Sequence, residues 1–95
     1  MGVLQLRNYT EEAVRLFVEK RLRETDICHC ENCRLDVMAI MLNGLAPRYV
    51  VTDKGALYAQ MNEFDPQTKI DLTTAMTLAV KIVGKNPKHN LSDRP

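Results

Sequence analysis

The sequence predicts an all-α fold, a small domain of about four helices held at one point by a cysteine cluster. Three observations lead there. Apolar residues recur at helical spacing in four stretches, each bounded by capping residues, Gly or Pro. All three cysteines stand together, as Cys28, Cys30 and Cys33. Extended structure is expected only in a short run at residues 48–51, where Val50 and Val51 favour it.

The 95 residues suit one domain over residues 1–95, with 1–7 and 88–95 as loose ends. A composition of 45% hydrophobic and 26% charged residues is ordinary for a soluble domain. The net charge of +1 gives no general attraction to nucleic acid or to an anionic membrane, so neither is expected as a partner. No apolar run approaches the roughly 20 residues that span a bilayer. Residues 1–10 lack a basic start followed by an apolar stretch, so no signal peptide is expected. Three cysteines this close cannot staple a fold as in secreted domains, and a cytoplasmic location follows as the expectation.

The first helix is capped by Asn8 or Thr10, and Asn8 with Glu11 has capping-box spacing. Val14, Phe17, Val18 and Leu22 form its buried stripe. Lys20, Arg21 and Arg23 close it, either as a solvated cationic end suited to the helix dipole or as a receiver for an anionic ligand. The second helix is expected from Cys30 or Glu31 to about Asn43. Leu35, Met38, Ala39 and Leu42 make one apolar stripe, and Val37, Ile40 and Met41 a second. A helix apolar on more than one side is central or lies at a subunit contact, so a homodimer through this helix or the fourth is expected. Gly44 and Pro47 end it. Thr52 or Asp53 caps a short third helix through Ala56, Leu57, Tyr58 and Met61. Asp65 then caps a fourth, with Pro66 at its first position. That helix runs to about Val83, with Ile70, Ala75, Leu78, Ala79 and Ile82 expected in the core.

The cysteine spacing C-x-C-x-x-C points to structural zinc. Cys30 and Cys33 have the separation at which two thiolates from one turn reach one ion. Cys28 lies two residues earlier, on the same side of an extended backbone as Cys30, whereas His29 points away. His89 is the other histidine, and a tail folding back would complete a Cys3His site. Asp26, Asp36 or a water are weaker alternatives for the fourth position. The competing reading is three reduced thiols in a loop, with some redox chemistry at Cys30 and Cys33.

The cysteine cluster, then DVMAIMLNGL at residues 36–45 and PRYVVT at 47–52, resemble the late-competence protein family ComFB. The likeness runs over about residues 8–83, with 30–52 as its specific core. The resemblance implies a small, helical, dimeric bacterial protein, zinc binding through cysteines in some members, and a role as a cyclic di-GMP receptor. Where relatives close the metal site with a C-terminal cysteine, this chain offers His89.

Such a ligand carries two phosphates and two guanines. Its recognition calls for Arg on phosphate or purine, a carboxylate for the guanine edge and an aromatic surface. Arg48 is the strongest candidate, with Asp36, Asn43, Tyr49 and Thr52 beside it in sequence. Each has an ordinary reading too: Asp36 as a cap or ion-pair partner, Asn43 as a helix end, Tyr49 as core. Enzymatic activity is not expected, because no Ser/His/Asp arrangement, phosphate loop or open metal site is visible. The function expected is therefore a non-enzymatic regulatory module that passes a cyclic di-GMP signal to a protein partner not named by the sequence. The alternative is a structural or protein-interaction component of competence or DNA uptake with no nucleotide ligand.

Overall fold

The computed structural model describes residues 3–61 and 64–85. Its elements run β1 (Gln5–Asn8), α1 (Tyr9–Arg21), a 3-10 turn at Leu22–Glu24, α2 (Glu31–Gly44), β2 (Tyr49–Thr52), α3 (Lys54–Met61) and α4 (Pro66–Lys85). The fold is mostly helical, and the all-α expectation needs one correction. β1 and β2 pair antiparallel, with Leu6 opposite Val51 and Asn8 opposite Tyr49. Gln5, Leu6 and Arg7, expected in the loose N-terminal end, belong to this ribbon. The strand at β2 was legible from its β-branched residues. Gln5–Asn8 has no such signal and becomes a strand through its partner alone.

The caps fall where the side chains allow them. Asn8 Oδ1 accepts from the Thr10 amide at the start of α1. Asp53 Oδ1 accepts from the Ala56 amide and Asp65 Oδ1 from the Thr68 amide, opening α3 and α4. Each satisfies an amide that the first helical turn leaves without a partner.

α1, α2 and α4 pack around one core. Val14, Phe17, Val18 and Leu22 meet Cys33, Val37, Met38 and Met41 of α2 and Leu72, Met76, Ala79 and Val83 of α4. α3 forms a smaller cluster, Leu57 and Met61 against Ala13. The stripe on α1 is the one its periodicity predicts. On α4 the core takes Leu72, Met76 and Val83 together with the expected Ala79, and Ala75 is half-buried. Ile70 (57% exposed), Leu78 (58%) and Ile82 (41%) face outward instead. Leu35 and Ala39 on α2 are likewise exposed, although both were expected in an apolar stripe. Both helices are apolar on two sides. Periodicity finds the stripes, but only tertiary packing decides which one is covered.

The segment leading into β2 is tied to α1 through Asn8, Tyr9 and Thr10. Asn8 Oδ1, besides capping α1, accepts from the Arg48 amide at 3.1 Å. The Tyr9 amide donates to the Arg48 carbonyl at 2.6 Å, and Thr10 Oγ1 donates to the Ala46 carbonyl at 2.8 Å. Asn8→Ala removes a cap and a long-range hydrogen bond together. It is expected to cost about 1–3 kcal/mol in urea unfolding, at or above the range for a lost cap alone. Gln60→Ala, at an exposed position of α3, is expected to stay within about 0.5 kcal/mol of the parent. Equal midpoints for the two variants would remove Asn8 from this role.

Candidate metal centre and ligand groove

The loop from the 3-10 turn to α2 is shaped by short local bonds. Thr25 donates through its amide and its hydroxyl to the Leu22 carbonyl, at 3.0 and 2.6 Å. His29 Nε2 lies 3.0 Å from the Thr25 carbonyl, to which its N–H donates. Cys30 is the N-cap of α2, with extended φ −68° and ψ 164°, and its sulfur accepts from the Cys33 amide at 3.5 Å. Ile27 lies against the last turn of α4, where a Cβ on Gly84 would come within 3.2 Å of its Cγ2. The loop is thus held between α1, α2 and the end of α4.

This places the sulfurs of Cys28, Cys30 and Cys33 within 4.8 Å of one another. Cys33 is buried in the main core, and Cys28 and Cys30 are half-buried against it. A tetrahedral zinc with Zn–S bonds of about 2.3 Å needs sulfurs roughly 3.8 Å apart, so small side-chain rotations bring the three to one ion. The electrostatics differ between them. The Cys33 amide lowers the Cys30 thiol below its ordinary value. Burial pushes the Cys33 thiol up to about 12. A cation at the centre would supply the charge that Cys33 needs to lose its proton. Three soft donors, one of them desolvated, suit a thiolate-binding metal. His89 lies outside the described residues. Asp26 and Asp36 do not join the cluster of three.

At the other end of α2, Arg48 lines a groove of about 390 Å³ with Tyr9, Thr10, Pro47, Thr68 and Asp71. Its guanidinium lies 4.9 Å from the centre of the Tyr9 ring. Asn8 and Tyr9 hydrogen-bond the backbone of Arg48, so its anchor is fixed while its guanidinium stacks on the Tyr9 ring. The other expected contacts do not line this groove. Tyr49 is exposed on the ribbon, Thr52 stands at the far end of β2, and Asp36 and Asn43 lie two turns apart on α2. Tyr9, Thr68 and Asp71 were not singled out by sequence. Nothing in the chain's spacing signals that residues 9, 48 and 71 converge. A larger groove of about 490 Å³ lies between the end of α1 and α4, where Arg21 stacks on Phe17 and Lys81 stands at the rim. Its lining carries Glu24 and Asp26 beside Arg21 and Lys81, and it has no counterpart of the Asn8 anchor.

Comparison with known proteins bears on the whole arrangement. The family model described as late competence development protein ComFB matches residues 7–87. Among solved structures, the late competence protein ComFB from Bacillus subtilis superposes with a TM-score of 0.74 at 22% identity, covering 95% of this chain and all of that one. No curated protein matches the chain.

Proposed function

This chain belongs to the late competence development protein ComFB family, and on that premise we propose that it is a non-enzymatic bacterial regulatory protein, a zinc-holding dimer that receives cyclic di-GMP beside Arg48. The observation that carries the ligand reading is the Arg48 side chain. It is stacked on Tyr9 and lines a groove together with Thr10, Thr68 and Asp71. A guanidinium so placed meets a phosphate bidentately or stacks on guanine, and a carboxylate accepts from the guanine edge. In this reading the protein handles a signal and performs no chemistry on it. It acts in the cytoplasm through a protein partner.

The metal in this reading is zinc, with His89 as fourth ligand. α4 ends at Lys85, its last turn rests against Ile27, and Cys28 is the next residue of that loop. His89 stands four residues after Lys85, close in sequence to the turn of α4 that rests against Ile27. Protein purified without chelators is expected to carry about one zinc per chain. Cys30→Ser is expected to lose the metal with a clear drop in Tm, and His89→Ala to weaken its retention against a chelator. Metal analysis that finds no zinc would refute this part.

The dimer contact in this reading is the outward stripe of α4, Ile70, Leu78 and Ile82. It continues through a shallow groove to Ile40 and Leu45 at the end of α2. An apolar surface of this kind on a small domain marks an interaction site. Sedimentation is expected to give about twice the 10.8 kDa of one chain, and Leu78→Asp to return the monomer. A monomeric parent protein at micromolar concentration contradicts this.

Calorimetric titration with cyclic di-GMP tests the receptor role. Arg48→Ala is expected to weaken binding by at least about 1.5 kcal/mol while zinc content stays unchanged. The backbone groups of Arg48 that tie β2 to α1 survive the substitution. Absence of binding to the parent protein leaves the interaction-component reading, in which the same family fold serves DNA uptake without a nucleotide. Unchanged binding in Arg48→Ala moves the site to the Arg21 groove, beside Lys20 and Arg23.

A further inference from the structure

We infer that Cys30 and Cys33 form a reversible oxidation site for hydroperoxides, whose disulfide takes the place of the metal. The inference rests on the metal reading for its consequence, though not for its chemistry. Cys30 holds the N-cap of α2, half-buried on a loop, while Cys33 is enclosed in the core three residues later. Their sulfurs lie within 4.8 Å, with the Cys33 amide already donating to Cys30 Sγ. Residues three apart at a helix start have Cβ atoms about 5–6 Å apart. A modest turn of the non-helical Cys30 closes that to the roughly 3.5–4.5 Å of a disulfide. A pair two apart in extended chain has its Cα atoms about 6.6 Å apart, at the upper limit for a disulfide. Cys30 is assigned as the partner of Cys33 because the Cys33 amide holds its sulfur, and Cys28–Cys33 is the competing pairing that the peptide map distinguishes.

The peroxide reaches Cys30 first, because Cys33 is covered. The Cys30 thiolate attacks one peroxide oxygen, the O–O bond breaks, and with one proton the leaving oxygen departs as water. The sulfur becomes a sulfenic acid, oxidised by two electrons. Cys33 then attacks that sulfur, the S–O bond breaks, and the thiol proton leaves with the hydroxide as a second water. A metal that was held by both sulfurs loses two of its ligands at once. Cys28 and His89, the two ligands left in that reading, hold it far more weakly, and the loop that rests Ile27 against Gly84 loses its anchor.

The test uses the full chain, loaded with zinc and treated with a small excess of hydrogen peroxide. Intact mass, non-reducing peptide maps and zinc release to a chromogenic chelator are followed together. A loss of about 2 Da, a Cys30–Cys33 linkage and recovery with a thiol reductant are expected. Cys28→Ser is expected to keep the linkage and Cys30→Ser to abolish it. A linkage through Cys28, a gain of oxygen without a disulfide, or an unaltered protein each overturns the inference. The two readings fail separately. A disulfide in protein that carried no zinc sinks the metal and keeps the oxidation site, whereas zinc retained through peroxide treatment does the reverse.

Discussion

One carboxamide oxygen links the start of α1 to the segment that leads into β2. Asn8 Oδ1 accepts from Thr10, which starts α1, and from Arg48, which leads into β2. The two donors lie on segments that are neighbours only in the folded chain. Because the oxygen has two lone pairs, capping the helix and docking the strand do not compete. The ribbon, the Thr10–Ala46 bond and the stacking of Arg48 on Tyr9 all depend on the register this sets. An aspartate there would accept the same two bonds, but its charge would stand beside Arg48. A serine would reach Thr10 but is shorter toward Arg48.

The two candidate sites occupy opposite ends of one helix. Cys30 caps the start of α2, and Leu45 at its C-cap lines the groove that contains Arg48. The 14 residues of α2 make a strut about 21 Å long. Its middle is fixed by Val37, Met38 and Met41 against α1 and α4. The cysteine cluster and the Arg48 groove thus stand at the two ends of one rigid element.

Much of this was legible in the sequence, because local chemistry carried it. Asn8, Asp53 and Asp65 mark helix starts by side-chain type, and Cys28, Cys30 and Cys33 lie too close in sequence to be far apart in space. What the sequence hid depends on distant pairing. Gln5–Asn8 reads as a polar end and becomes a strand only when β2 is beside it. Ile70, Leu78 and Ile82 have the same helical period as Leu72, Met76 and Val83, and no local rule ranks one face over the other. Arg48 was visible as a cation fixed after a proline. Its partner Tyr9 was not, because their meeting is a property of the ribbon register.

The ribbon's brevity has a consequence for how the protein behaves in bulk. Leu4, Leu6, Tyr49 and Val51 turn an apolar face to water, and among the described residues neither strand is paired on its outer edge. Such an edge is a template for self-association into extended sheets. Here each strand is four residues long, too few to seed a stable stack, and Arg7 in the middle of β1 adds a charge that a stacked copy would have to face. Val3 and Leu4 precede β1 and are themselves apolar and exposed. Adding β-formers ahead of them would lengthen this template beyond the four residues of β1.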